Sequence, residues 1–301
     1  MPSSVHLKVT STTDLLWQWL SQHIALEGLT WLDEKMLQIG NGASTHVFFT
    51  AFSAVPCYTG KNDLKLTKED LNTASAIRAG WVPSHWSVDQ AARALLVLAL
   101  PQDNATQYLE TLEQVFTAAD IGELIALYQV LPLLPYPEKL RSRAAEGIRS
   151  NMTAVFNAVA LRNSYPAEYL DDLAWNQMVL KALFVGSPLY LIQGLERRAN
   201  PKLAKMLIDY AHERWTAKRS VSPEIWRLIG KFANTAMLAD LERVITDPHP
   251  VQQAAAALAC AECPEPGAQA LLARYPNLQA EIRALRLTWN SLTIKGLGAG
   301  W

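Results

Sequence analysis

The chain has 301 residues, half of them apolar and 18% charged, with a formal net charge of −1. That balance provides ample material for a core and excludes a disordered chain. Near-neutrality, with no long run of Lys and Arg, leaves no electrostatic footprint for nucleic acid.

In chain order the pattern is helical almost throughout. Residues 1–11 read as a flexible start, and the polar opening lacks the basic and apolar regions of a signal peptide. A first helix begins after Thr12 or Thr13 and carries Leu15, Leu16, Trp19, Leu20 and His23 at a spacing near 3.6. Residues 30–39 form the next, stopped by Gly40-Asn41-Gly42. A third covers 46–54 and gives way to a loop over 56–66. Thr67 caps a fourth with Asp70 three residues on. The loop 80–86 is rich in aromatics, and Ser87 caps the helix after it. The apolar run 94–100 stops at Pro101, well short of the about 20 residues a bilayer span needs. No transmembrane segment is expected, and the expected compartment is the cytoplasm.

Pro132, Pro135 and Pro137 punctuate the middle of the chain. After them 138–160 reads as one long helix, with Leu140, Ala144, Ile148, Met152 and Phe156 at steps of four. No Gly/Ser linker separates the halves, so residues 12–290 read as one domain with a soft boundary near 132–137. Residues 291–301 read as a flexible tail whose terminal Trp301 is free to dock. Cys260-Ala-Glu-Cys263 follows an alanine run at a helix end and reads as core packing, since no further metal ligands stand nearby. Alternation of period two is absent, so strands have no support.

One internal echo bears on architecture. Val88-Asp-Gln-Ala-Ala-Arg-Ala-Leu95 and Val251-Gln-Gln-Ala-Ala-Ala-Ala-Leu258 share V-x-Q-A-A-x-A-L at an offset of 163 residues, about four HEAT-like units. Asp247-Pro-His-Pro250 before the second copy suits the turn that opens such a repeat. The expected fold is all-α, either a HEAT-like solenoid or an irregular helical array.

The stretch 171–215 carries the densest signal. Apolar residues from Leu173 to Val185 go right round the helix, which predicts burial on most sides. Asn176, Gln177 and Lys181 then need partners, because an unpaired buried polar group costs roughly 1–3 kcal/mol. Two readings fit: a polar network that fixes packing, or a ligand pocket lined by Trp175 and Phe184. Asn200 and Pro201 open the next helix. Its wheel puts Leu203, Met206, Leu207, Tyr210 and Arg214 inside and Lys202, Lys205, Asp209, His212 and Glu213 outside. Asp209, His212 and Glu213 read as a solvated face or a partner contact, and no metal site is assigned. Arg197 and Arg198 are suited to an anion.

Several runs resemble the EboA family of metabolite-traffic proteins: Leu131-Pro-Leu-Leu-Pro-Tyr-Pro137, Ala144-Ala-Glu-Gly-Ile148, Asn151-Met-Thr153, Trp175-Asn-Gln-Met-Val-Leu-Lys-Ala182, Arg197-Arg-Ala-Asn-Pro201, Asp209-Tyr-Ala-His-Glu-Arg-Trp215 and Val221-Ser-Pro-Glu224. The resemblance implies a soluble, all-helical protein, encoded with enzymes of small-molecule and prenyl-type chemistry, that helps move a secondary-metabolite precursor toward the periplasm. It brings no catalytic residues and no cofactor. The ligand-contact candidates are Trp175, Asn176, Gln177, Lys181, Phe184, Arg197 and Arg198. The expected function is a non-catalytic binding or adaptor protein for a small apolar metabolite or pathway proteins, peripheral to a membrane partner. An enzyme acting on a prenyl-type or other apolar substrate, and a generic helical scaffold, are the alternatives.

Overall fold

A computed structural model describes residues 11–296. Of the flexible termini expected at 1–11 and 291–301, residues 1–10 and 297–301, with Trp301, lie outside them. The described residues form α-helices joined by short 3₁₀ turns, with two isolated bridges, Asp63 to Ser87 and Trp81 to Asn163, and no strand. None of these helices is long and apolar enough to cross a membrane. The all-α class stands, and the solenoid half of that expectation rests on the sequence echo alone.

The chain divides into two compact units at Leu170/Asp171, so the soft boundary expected near 132–137 falls inside the first unit. That unit contains α1 (Thr12–Ser21), α2 (Leu26–Gly40), α3 (Thr45–Thr59), α4 (Lys68–Ile77), α5 (Val88–Leu98), α6 (Ala105–Ala118), α7 (Ile121–Val130), α8 (Arg141–Arg149), α9 (Thr153–Ala160) and α10 (Tyr165–Tyr169). The second contains α11 (Asp172–Val185), α12 (Pro201–Thr216), α13 (Trp226–Ile229), α14 (Leu238–Ile245), α15 (Pro250–Glu262), α16 (Pro266–Ala273), α17 (Pro276–Arg283) and α18 (Trp289–Gly296). The last helix takes in residues expected to be tail.

Capping chemistry sets most starts. Ser11, Thr67 and Ser87 form reciprocal boxes with Asp14, Asp70 and Gln90, each satisfying two otherwise orphaned N–H groups. Within the first unit α5 is the hub, packed by α1, α2, α3 and α7. Trp19 of α1 ties that helix to α4 and to the loop before α5: its indole donates to Asp70 Oδ1 at 3.0 Å and meets the Trp81 ring at 5.4 Å. In the second unit α15 has the same place, packed by α13, α14, α16, α17 and α18. Cys260 and Cys263 are buried there, and burial first, with Cys263 adding, pushes the Cys260 thiol up to about 12.

Two expectations about helix ends are corrected. The third helix does not stop at Pro56 but runs through it to Thr59. Proline has no N–H to give the carbonyl four residues back. That carbonyl, Phe52 O, instead accepts from Arg93 Nε at 3.2 Å, so the helix loses no partner. The long helix expected over 138–160 is three pieces: a 3₁₀ turn Pro137–Leu140, then α8, then α9 after a break at 150–152. Ser150 ends α8 in extended backbone, and its hydroxyl accepts the Met152 N–H at 3.1 Å. Apolar steps of four run straight across this break, which is why periodicity did not show it.

Candidate functional site

In the second unit the structure resolves the residues singled out around 171–215. Asp171 and Asn200 cap α11 and α12, their side-chain oxygens accepting from Ala174 N at 2.8 Å and Leu203 N at 2.9 Å. The amides of Asn176 and Asn200 also pair reciprocally: Asn200 Nδ2 donates to Asn176 Oδ1 at 2.9 Å, and Asn176 Nδ2 donates to Asn200 Oδ1 at 3.2 Å. Arg198 lies over the buried Trp175 ring, 5.0 Å from its centroid, and donates to Asp172 Oδ1 at 2.9 Å. Trp175, Asn176 and Arg198 thus form a clasp that fixes the start of α12 on α11.

The burial expected right round α11 is corrected. Leu173 and Phe184 are 59% and 68% exposed, and Gln177 faces solvent with them, because α11 is packed on one side only. Lys181 is half-buried, and burial holds its ammonium below the usual lysine range. Phe184 meets Tyr210 edge-on at 5.4 Å, and Arg197 is exposed. Asp209, His212 and Glu213 lie on the outer face of α12, as the wheel predicts. His212 finds its carboxylate on α14, with Nε2 at 2.7 Å from Asp240 Oδ1, rather than on its own helix. Among the described residues no three His, Cys, Asp or Glu side chains converge as a metal-ligand set.

A groove in the first unit has a different character. It encloses about 640 Å³ where the end of α6, α7, α8 and the 150–152 break meet, a volume suited to a small organic molecule. Its floor includes Phe116, Leu124, Tyr128, Met152 and Val155. Gly147 makes the floor possible: a Cβ there would stand 2.6 Å from Val159 Cγ2 and 2.7 Å from the Tyr128 ring. Tyr128 is buried against Phe116 with ring centroids 5.1 Å apart. Burial, aided by Glu146 and opposed by Arg149, pushes its phenol up to about 12, so it stays a neutral donor at ordinary pH.

The rim is charged. Arg143 stacks over Phe116 at 5.5 Å, donates to Glu146 Oε2 at 2.7 Å and pairs with Glu113, which holds the guanidinium rigidly beside the apolar floor. Arg149, the last residue of α8, is exposed beside the break. A groove of mixed polar and apolar lining, with Arg143 already paired to Glu113 and Glu146 and Arg149 exposed, suits an amphipathic molecule whose polar end meets Arg149.

The EboA family model, described as metabolite traffic protein EboA, matches residues 12–230. The chain belongs to the EboA family. No curated protein and no solved structure matches it. Two of its EboA-like runs, Ala144-Ala-Glu-Gly-Ile148 and Asn151-Met-Thr153, meet at the groove. The first packs Ala144 and Ile148 inward while offering Glu146 and Gly147, and the second supplies Asn151 and the 39%-exposed Met152.

Other EboA-like runs have structural work. Glu224, from Val221-Ser-Pro-Glu224, is buried and accepts from Leu189 N at 3.0 Å and Tyr190 N at 2.6 Å, pinning the 3₁₀ turn Leu189–Leu191. Burial raises its pKa, with those bonds and Arg227 opposing. Tyr128, Arg143 and Arg149 escaped the sequence reading. Gly147 followed by the polar pair Ser150-Asn151 was the available sign of a helix break.

Proposed function

We propose that this EboA-family protein is a non-catalytic binding protein in metabolite traffic, holding a secondary-metabolite precursor in the first-unit groove on its way from cytoplasm toward periplasm. The observation that carries this reading is the meeting of two EboA-like runs at that groove, wholly inside the family-matched residues. Phe116, Leu124, Met152 and Val155 cover the apolar part of the precursor, and Arg149 meets its polar end. The exposed α11 face of Leu173, Gln177, Lys181 and Phe184 serves as a contact for a pathway protein. Trp175, Asn176 and Arg198 support that face through the clasp.

The test is cell fractionation with metabolite profiling. Deleting the protein is expected to leave the precursor chemically complete but retained in the cytoplasm. The Arg149→Glu/Met152→Glu variant is expected to behave likewise while remaining folded, since both side chains are exposed. A chemically unfinished intermediate would identify an enzyme instead, and an unchanged distribution defeats the traffic reading.

A further inference from the structure

Met152 stands at the break between α8 and α9 and lines the first-unit groove. It is exposed, while Met178 is buried and Met36, Met206 and Met237 are half-buried, so among these methionines its thioether is the most open to reagents in solution. Its backbone is held on both sides: Met152 N donates to Ser150 Oγ at 3.1 Å, and Met152 O accepts from Phe156 N at 3.0 Å.

Met152 also occupies the N-cap of α9, where Ser, Thr, Asp or Asn ordinarily offers an oxygen to the first N–H groups. A thioether offers none, and no side chain caps this helix. An oxygen added to Sδ would stand as many bonds from Cα as the oxygen of a glutamine, within the range of that uncapped start. The same oxygen would be out of place beside the groove's apolar lining of Phe116, Leu124 and Val155.

We propose that Met152 is an oxidation switch for the groove: a hydroperoxide converts its thioether to the sulfoxide, and the groove then gives up its ligand. A sulfur lone pair attacks the peroxide oxygen, the S–O bond forms as the O–O bond breaks, and a proton shift releases water or an alcohol. Sulfur loses two electrons and the peroxide gains them. The product is a polar side chain where an apolar one stood, and covering its oxygen with ligand hydrocarbon leaves an acceptor unpaired. Thiol-dependent sulfoxide reductases reverse the change. The switch rests on the groove being the binding site, as proposed above.

Hydrogen peroxide treatment of the full chain, followed by peptide mass spectrometry and fluorescence titration with anilinonaphthalene sulfonate, an apolar anion, tests it. Met152 is expected to oxidise about fivefold faster than Met36, Met178, Met206 or Met237. The binding lost in Arg149→Glu reports the groove. That component is expected to weaken about tenfold in step with the Met152 sulfoxide and to return after reductase treatment. In Met152→Leu, with affinity compared before and after peroxide within that one chain, no response is expected; exposed Cys57 is present in both chains and cancels. Oxidation of Met152 no faster than the others, Arg149-dependent binding untouched by the sulfoxide, or an equal loss in Met152→Leu would overturn the switch while leaving the groove reading intact. Absence of Arg149-dependent binding in the untreated chain would overturn both.

Discussion

Helices α5 and α15 carry the same V-x-Q-A-A-x-A-L run and each is the helix its own unit packs around, yet they treat the two variable positions in opposite ways. In α5 these are Asp89 and Arg93, a buried pair at 2.7 Å. Every strong demand of that pair is met: Ser87 Oγ donates to Asp89 Oδ1 at 2.5 Å, and Arg93 reaches Phe52 O and stacks over the Phe52 ring at 5.5 Å. In α15 the same positions hold Gln252 and Ala256. Small residues there allow backbone contact, and a Cβ on Gly230 would stand 2.8 Å from Ala259 Cα and O. The difference teaches that a hub helix admits charge where neighbouring elements supply partners for each donor and acceptor. Where they do not, alanine gives close approach, and the one amide retained keeps an unmet oxygen.

The largest effect that sharpens this comparison is expected at Arg93. Arg93→Met leaves the Asp89 carboxylate buried without its counter-charge and Phe52 O without a donor, and should cost about 3–5 kcal/mol by urea unfolding. A loss under about 1 kcal/mol would show that the pair contributes nothing a hydrophobic side chain cannot replace, and the contrast between the hubs would collapse. Next comes Gly230→Ala, whose added carbon meets backbone rather than a movable side chain; about 1–3 kcal/mol is expected in the same measurement. Retained stability would mean that α15 is not closely approached. Smallest is Gln252→Met, which removes one bond to Val221 O together with the unmet Oε1, for a net loss of about 1 kcal/mol or less. A cost as large as that at Arg93 would place Gln252 in a network like that of α5.

What the sequence could reveal of these helices was mainly local. Thr67, Ser87, Asn200 and Pro201 announce helix starts because capping needs only a side chain and an N–H three residues away. The polar face of α12 was likewise legible, since one helix's wheel contains the information. Three features were not. Pro56 stays helical because of an arginine on another helix. Gln177 and Phe184 are exposed because no element covers that side of α11. The groove was hidden because Leu140, Ala144, Ile148, Met152 and Phe156 keep their step across two helix ends. In each case the deciding fact is a neighbour distant in sequence, which hydrophobic period does not encode.

The bond from Arg93 to Phe52 O also constrains how this chain can change over time. While position 56 is proline, it has no N–H to offer Phe52 O and Arg93 serves that carbonyl, so losing the arginine first removes that bond and leaves Asp89 without its counter-charge. If position 56 first became alanine, its own N–H would reach Phe52 O, and a later joint loss of Asp89 and Arg93 would become tolerable. The two orders of substitution arrive at the same sequence, but only the one that replaces proline first offers Phe52 O an N–H before Arg93 is lost. Positions 56, 89 and 93 therefore form a small historical unit, in which a residue's dispensability depends on what has already been replaced.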